Sequence, residues 1–164
     1  MTIPNHQRPL DEARYRETLG HFASGITIVT ALQGETPTGV TCQAFSALSL
    51  DPPLIVLGAG NRSTSWPSII EAGTFCVNVL ASDQEALARI FATSGANKFE
   101  GVGWSTSVSG APVLDGILAY VDCAVESILA AGDHQLVIGR VLDLGTNVGH
   151  PLLFHRGGFA ELRH

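Results

Sequence analysis

The chain has 164 residues, which is enough for one domain that buries a sizeable core without disulfide support. Nine Lys and Arg against 15 Asp and Glu give a net charge of −6, and 45% of the residues are hydrophobic against 15% charged. This composition excludes a disordered chain, which requires low hydrophobicity. It predicts no nucleic-acid partner, because phosphate neutralisation requires a cationic face. The small number of charges favours a surface that is partly covered by a second subunit.

Neither a membrane span nor a secretion signal is predicted. No apolar run approaches the about 18–20 residues that cross a bilayer, and the first residues are polar. Cys42, Cys76 and Cys123 are widely spaced and form no CxxC pair, which argues against a disulfide framework or a zinc site. We therefore expect a cytoplasmic protein with no metal and no membrane contact. We expect one domain over residues 1–164, of which residues 1–9 form a loose arm.

The first predicted element is a helix that follows Asp11. Tyr15, Leu19 and Phe22 recur along one face of this helix at three- to four-residue spacing. Apolar runs bounded by Gly, Pro and Asp then predict strands. These strands cover residues 26–32, 39–45, 54–57, 74–80, 117–129, 135–144 and 152–155.

Two short helices interrupt the predicted strands. One opens at Ser65, and the other starts at a capping box formed by Ser82 and Glu85 and runs to about residue 92. Residues 93–110 are predicted to be a loop. Because strands predominate and closure removes exposed strand edges, the sequence predicts a mainly β protein. We expect a closed antiparallel barrel with a few short helices.

Residues 54–63 are close to a dinucleotide-binding fingerprint, since a predicted strand precedes the pattern GxGxxS. We reject that fold because Ser63 replaces the third glycine and no further strand–helix alternation follows. What remains is a loop, Asn61-Arg62-Ser63, that leads into a helix. Backbone N–H groups and an arginine at such a position favour an anion.

Basic residues are scarce between residues 22 and 139, where only Arg62, Arg89 and Lys98 occur. Arg89 follows Glu85 by four residues, which predicts a surface ion pair on a helix. Arg62 and Lys98 lie in segments rich in Gly, Ser and Asn, where they could bind a phosphate. The alternative is that both are solvated loop charges.

Residues 41–49 resemble a strand but carry many small polar side chains. Such a strand can present backbone groups, hydroxyls and an amide to a flat polar ligand. The alternative is an ordinary edge strand whose Ser and Thr face water. The segment is therefore a candidate binding stretch, without a ligand that its residues alone identify.

His134 is the histidine best placed for chemistry. It follows Gly132 and Asp133 in a turn between two long predicted strands, can donate a hydrogen bond, and titrates near neutral pH. The alternative is a turn residue without a chemical role. The sequence lacks the motifs of phosphate-loop NTPases, α/β-hydrolases and common zinc sites.

Several motifs in order resemble the short-chain flavin reductases, the reductase components of two-component flavin-dependent monooxygenases. They are residues 22–30, 39–53 and 75–80, Lys98-Phe99, Gly132-Asp133-His134 and residues 151–157. The resemblance covers residues 15–162. It implies a homodimer and an FMN-binding split barrel of Greek-key type.

The resemblance also implies a set of site residues. Those that would line the flavin ring and ribityl chain are Thr41, Cys42, Gln43 and Ala44. Those that would take the phosphate or lie near it are Ser46, Asn61, Arg62, Ser63, Lys98 and Phe99. On the nicotinamide side, His134 would be the catalytic residue, with His155 and Arg156 beside it.

The function that the resemblance implies is that of an NAD(P)H:flavin oxidoreductase. Such an enzyme reduces FMN or FAD by hydride transfer from NADH or NADPH and supplies the reduced flavin to a partner monooxygenase. One alternative is a split-barrel flavoprotein that retains its flavin and acts on a separate substrate. Another is a non-catalytic module that binds flavin or haem.

Overall fold

The computed structural model describes residues 10–95 and 97–162, which form three helices and twelve strands. The helices are α1 (Glu12–Leu19), α2 (Trp66–Ala72) and α3 (Glu85–Ala92). The strands are β1 (Ser24–Gly25), β2 (Thr27–Gln33), β3 (Thr36–Cys42), β4 (Phe45–Leu50), β5 (Pro53–Gly60), β6 (Thr74–Val79), β7 (Trp104–Thr106), β8 (Pro112–Leu114), β9 (Ala119–Ala131), β10 (His134–Thr146), β11 (Leu153–His155) and β12 (Gly158–Ala160). The arm expected at residues 1–9 lies outside the described residues.

Seven strands form the main sheet in the order β3-β2-β6-β9-β10-β5-β4. Two smaller sheets contain β1, β11 and β12, and β7 and β8. The strand pairings in the described residues are antiparallel, as a fold without parallel βαβ units requires. The mainly β prediction is confirmed, and so is the rejection of the parallel dinucleotide-binding fold.

The prediction of a closed barrel is wrong, because no ladder joins the two edge strands, β3 and β4, in the part of the chain that the structure describes. These edges are nevertheless connected by only two residues, Gln43 and Ala44. Four consecutive residues, 42–45, span about 11 Å at most, so the sheet must curl until its edges adjoin at this end. The result is a curled sheet with an open seam, and the seam begins at Gln43-Ala44.

The hydrophobic core consists of two clusters that the helices cover from different sides. Trp66 and Ile69 of α2 pack on the first cluster, which includes Phe75 and Leu57. Phe91 of α3 packs in the second cluster. Each fully buried large apolar side chain contributes about 1.5–3 kcal/mol of transfer free energy. The two clusters fix α2 and α3 against the sheet.

The first helix begins as predicted but does not bury its apolar face. The Asp11 carboxylate accepts a hydrogen bond from the Arg14 N–H at 2.7 Å and so caps α1. Tyr15 and Leu19 are each 53% exposed and Phe22 is 82% exposed. No helix within residues 10–95 and 97–162 is long and apolar enough to cross a membrane.

The predicted capping box at Ser82 is wrong. The N-cap of α3 is Gln84, whose side-chain oxygen accepts from the Ala81 N–H at 2.9 Å and whose amide donates to the Asp115 carbonyl at 2.8 Å. These two bonds tie the start of α3 to neighbouring loops, so the helix starts at Glu85. The predicted Glu85–Arg89 ion pair is confirmed at 2.6 Å.

Candidate functional site

The predicted binding strand, residues 41–49, and the glycines that precede the predicted 61–63 loop lie side by side at one end of the main sheet; the parts that meet are residues 41–46 and residues 58–63. The Gly58 N–H donates to the Ala44 carbonyl at 2.8 Å. The ladder between β4 and β5 continues from there, with Phe45 opposite Leu57. The two stretches therefore form one continuous surface at the seam of the curled sheet.

Gly58 and Gly60 belong to β5, where the sequence predicts a loop. Their backbones lack a positive φ, both residues pair with β10, and they alternate with the buried Ala59. A Cβ at Gly58 would lie 2.8 Å from Ala44 Cβ, and a Cβ at Gly60 would lie 3.6 Å from His134 Nε2. The Ala44 methyl therefore covers Gly58, whereas the backbone of Gly60 is bordered by the His134 ring at an ordinary contact distance and is open to a flat ligand. We name Ala44, Gly58, Gly60 and His134 the glycine surface.

The imidazole of His134 is held at the glycine surface by its neighbour in sequence. His134 Nδ1 lies 2.7 Å from Asp133 Oδ1, and since a carboxylate only accepts hydrogen bonds, Nδ1 carries the proton. This hydrogen bond, together with the charges of His134 and Arg62, holds the pKa of Asp133 below its ordinary value. His134 Nε2 is left for a ligand that lies over Gly60.

The 61–63 loop turns away from the end of β5. The Asn61 N–H donates to the Asp133 carbonyl at 3.0 Å, which joins the loop to the turn that carries His134. Ser63 Oγ accepts from the N–H groups of Ser65 and Trp66 at 3.3 and 3.4 Å. Ser63 therefore serves the start of α2 itself, where the sequence predicts a phosphate contact.

Arg62 is the basic side chain that this loop presents to solvent. It is exposed and makes no hydrogen bond or ion pair within residues 10–95 and 97–162. Its charge acts on Asp133 at the edge of the glycine surface. Of the two basic residues predicted to contact the phosphate, Arg62 and Lys98, Arg62 is the one whose donors are available.

Lys98 has a different environment from the one predicted. It is 9% exposed, and its Nζ donates to the carbonyls of Gly39 and Phe91 at 3.1 Å each and to Ser65 Oγ at 3.2 Å. An ammonium group has three donors, so all of them are used within the protein. Burial lowers the pKa of Lys98. Lys98 joins β3, the end of α3 and the start of α2, and a ligand contact would break one of these bonds.

Three other predicted site residues turn their side chains inward. Thr41 Oγ1 donates to the Ala88 carbonyl at 2.6 Å. Cys42 is 4% exposed, and burial raises the pKa of its thiol to about 11. The Phe99 ring packs edge-to-face on Phe91 with a centroid distance of 5.0 Å. At these positions a ligand could contact the backbone but not the functional group.

Gln43, Ala44 and Ser46 are exposed, as a binding stretch requires. Ser46 Oγ donates to the neighbouring Ala47 carbonyl at 3.1 Å. The Gln43 side chain makes no hydrogen bond in the described part of the chain, while its carbonyl accepts from the Phe45 N–H at 3.0 Å. The exposed amide of Gln43 therefore stands at the open seam.

His155 ends β11 in a different sheet from His134, and Arg156 follows it in the turn to β12. The His155 ring contacts the His21 ring at 6.4 Å between centroids, and the Arg156 N–H donates to the Gly20 carbonyl at 2.8 Å. Both contacts are with the end of α1. The structure thus separates the predicted nicotinamide contacts into two groups.

A smaller and a larger cavity of the described surface bear on the site. The smaller, about 240 Å³, lies beside the 61–63 loop and is lined by Trp66, Pro67, Ile70 and Gln135, among others. The larger, about 480 Å³, lies between α3 and β12. The larger one contains none of the predicted site residues.

Asp133 and the strand character of Gly58 and Gly60 are the features that sequence reasoning missed. The alternation of Gly58, Ala59 and Gly60 with the apolar residues before them is the signal that could have extended the strand. Asp133 immediately precedes His134 in the sequence. This adjacency is the signal that could have indicated a hydrogen bond between the carboxylate and the imidazole.

The comparisons with known proteins cover nearly the whole chain. The sequence family described as "Flavin reductase like domain" matches residues 19–163. The reductase subunit HsaB of a flavin-dependent monooxygenase from Rhodococcus jostii is 42% identical over 154 residues, 93% of this chain and 79% of that protein. An NADH-dependent flavin reductase from Rhodococcus sp. is 40% identical over 150 residues, 90% of this chain and 84% of that protein.

Solved structures agree with the relatives found by sequence. Nitrilotriacetate monooxygenase component B from Mycobacterium thermoresistibile superposes with a TM-score of 0.90 at 39% identity, covering 93% of this chain and 87% of that one. The NADH:FAD oxidoreductase SgcE6 of Streptomyces globisporus, in complex with NAD and FAD fragments, gives a TM-score of 0.89 at 32% identity, with 95% of each chain covered. The chain therefore belongs to the family of flavin reductase-like domains.

Proposed function

We propose that this protein is an NADH-dependent flavin reductase that reduces FMN or FAD and supplies the reduced flavin to a separate monooxygenase. The observation that carries the proposal is the meeting of residues 41–46, residues 58–63 and His134 at one surface in a chain of this family. Relatives named as reductase subunits of monooxygenases and as an NADH-dependent flavin reductase support it.

The residues at the seam fit a flavin. The glycine surface offers the bare backbone of Gly60, bordered by the His134 ring, and the Ala44 methyl that covers Gly58, so a flat ring can approach the sheet closely at Gly60. Gln43 supplies an exposed amide beside it, and Arg62 supplies a guanidinium for a phosphate. A bound flavin supplies the redox chemistry, since its ring accepts a hydride from a reduced nicotinamide.

The protein's contribution to this reaction is mainly positional. We propose that the glycine surface orients the ring, because a hydride donor must approach at roughly 3–3.5 Å for reaction. His134 then borders the face on which the nicotinamide binds, with its Nδ1 proton held by Asp133. His134 Nε2 can bind a polar group of either coenzyme. His155 and Arg156 lie beside α1, so their proposed role in nicotinamide binding depends on how the coenzyme extends.

We further propose that the enzyme is a homodimer and is located in the cytoplasm. Tyr15 and Leu19 of α1, and Phe22 three residues beyond its end, expose apolar side chains. We propose that they make one face that a second copy covers, and the low charge of the chain fits such burial. Cys42, Cys76 and Cys123 are buried and free, which suits a reducing compartment.

The proposal is tested by mixing the purified protein with NADH and an excess of FMN or FAD under anaerobic conditions. The expected result is loss of the NADH and oxidised-flavin absorbance in equal amounts, well above the uncatalysed rate. The same measurement with NADPH and with riboflavin ranks the coenzymes. A rate equal to the uncatalysed one with every combination would overturn the proposed function.

A further inference from the structure

The 240 Å³ cavity beside the 61–63 loop shares Gly60, Asn61 and Ser63 with the proposed flavin site, but it is also lined by α2 and by Gln135, which that site does not use. Trp66, Pro67 and Ile70 of α2 line it with apolar surface, and Asn61 and Gln135 add two side-chain amides. Neither amide makes a hydrogen bond within residues 10–95 and 97–162. Its volume is below the about 300–1,000 Å³ of a pocket for a whole drug-sized ligand, so it suits one ring of a larger molecule.

An apolar slot with unpaired amides at its rim is the environment that a purine base prefers. A side-chain amide can pair with both the exocyclic amine and a ring nitrogen of adenine. The flat faces of the base gain from contact with aromatic and apolar side chains. A purely apolar ring would instead leave the amide of the half-buried Gln135 unpaired, which costs free energy once water is excluded.

The cavity also stands in the right place relative to the glycine surface. Successive side chains of β10 point to opposite faces, so Gln135 lies on the side of the buried Val137, opposite His134. The 61–63 loop passes over the rim of the sheet between the two sides. A ligand that places its phosphate at Arg62 therefore has a ring site on each side of the rim.

We propose that this cavity binds the adenine ring of a dinucleotide coenzyme. The inference rests on the proposed function, because FAD and NADH both carry an adenosine joined through phosphates. The adenine of either one has the required chemistry, and the experiment distinguishes the two sources. Gln135 is then a specificity-determining residue that FMN does not contact.

The test uses the flavin-free protein and three ligands, namely AMP, FAD and FMN, measured by isothermal titration calorimetry, together with the KM for NADH. Gln135→Leu removes the amide while keeping the side-chain size. Gln33→Leu is the control: the Gln33 amide donates to Glu71 of α2 at 2.7 Å but does not line the cavity, so this variant measures the effect of losing an amide bonded to α2 outside the cavity. We expect AMP to bind the wild type and the Gln33→Leu protein, and to bind Gln135→Leu about tenfold more weakly, the size of one lost base contact.

The measurements with FAD, FMN and NADH identify which coenzyme places its adenine in the cavity. An about tenfold rise in the Kd of FAD for Gln135→Leu, with the Kd of FMN unchanged, assigns the cavity to the flavin coenzyme. An about tenfold rise in the KM for NADH with both flavin constants unchanged assigns it to the nicotinamide coenzyme. Absence of AMP binding to the wild type, or an equal change for FMN and FAD, overturns the proposal. AMP binding that follows the prediction without any NADH oxidation overturns the proposed function and leaves the adenine site standing.

Discussion

Arg62 and Lys98 are both basic residues in polar loops, but their surroundings give them different roles. The guanidinium of Arg62 is exposed beside the glycine surface, whereas the ammonium of Lys98 is buried with three protein acceptors. A phosphate can reach the first without breaking any protein contact. The proposed phosphate site therefore depends on Arg62.

Arg62→Ala tests this assignment. We expect FMN to bind more weakly by about 1–3 kcal/mol, the scale of a charged hydrogen bond. Riboflavin, which lacks the phosphate, should bind the variant and the wild type equally well. Flavin fluorescence titration measures both constants, and Arg14→Ala, an exposed arginine on α1, is the control. An equal loss for FMN and riboflavin would move Arg62 from the phosphate to the ring.

His134→Ala tests the nicotinamide side. The ring is half exposed, with 50% of the side chain accessible, so we expect a smaller loss than the about 10²–10³-fold seen when a preorganised donor is removed from a closed site. The rate of flavin reduction in anaerobic stopped-flow should fall about 10-fold, while the flavin Kd stays within experimental error. A variant that loses flavin affinity as much as rate would place His134 in the flavin site instead.

At the scale of elements, Lys98 connects β3, α2 and α3 through one group. Lys98→Met would leave the Gly39 and Phe91 carbonyls without this donor. We expect the free energy of unfolding to fall by about 1–3 kcal/mol, the cost of unsatisfied buried acceptors. Urea denaturation measures the loss. The ratio of FMN to riboflavin affinity should stay at its wild-type value, and a change in that ratio would return Lys98 to the phosphate site.

The long hairpin of β9 and β10 carries an ion pair between Glu126 and Arg140, with a closest distance of 2.5 Å. The hydrogen bond from Arg140 holds the pKa of Glu126 below its ordinary 4.5. Because the folded-state pKa is the lower one, the unfolded chain binds more protons in acid, and the pair stabilises the fold only above that range.

Glu126→Gln should therefore be slightly less stable than the wild type at neutral pH. The difference in free energy of unfolding should shrink as the pH falls through 4.5 and the folded-state pKa below it, since the wild-type carboxylate then becomes protonated. Denaturant titrations at neutral and at acid pH measure the two differences. A difference that is constant over this range would contradict the assigned pKa direction.

Most elements could be predicted from the sequence because their signals are local. Asp11 caps α1, and the apolar runs of β2, β6, β9 and β10 lie within a few residues of their predicted ranges. Gly58 and Gly60 were predicted as a loop because glycine disfavours strands. The ladder partners on both sides of β5 override that local preference, and no local pattern shows these partners.

The site residues divide in the same way. Gln43 is indicated by the polarity of its strand-like segment, and Arg62 by the scarcity of basic residues between residues 22 and 139. Both signals can be read from the composition along the chain. The inward orientation of Thr41 and Lys98 depends on α3, which approaches from a distant part of the sequence, and Cys42 is buried in the cluster that α2 covers. The position of a lysine in the sequence does not distinguish one that binds a ligand from one that hydrogen-bonds to three elements of the fold.

At the scale of the whole molecule, the face of Tyr15, Leu19 and Phe22 predicts a second copy. Phe22→Glu places a charge on this face, which is expensive to bury. We expect the wild type to sediment as a dimer at micromolar concentration and the variant to shift toward the monomer with an unchanged circular dichroism spectrum. A monomeric wild type, or a variant that dimerises as well as the wild type, would remove α1 from the interface.

The central claim is that a flavin lies on the glycine surface, and Gly60→Val tests it most directly. A Cβ at Gly60 meets only His134, at an ordinary contact distance of 3.6 Å, and valine favours strands, so the fold should tolerate it. Gly25→Val, where a Cβ meets nothing within 4 Å, is the control.

The measurement is the Kd of riboflavin, FMN and FAD for these two variants, with the thermal unfolding midpoint recorded for each. We predict that Gly60→Val weakens all three flavins at least about tenfold, because the branched side chain occupies the ring surface, whereas Gly25→Val binds them like the wild type. A folded Gly60→Val protein that binds flavins as tightly as the wild type would contradict the account.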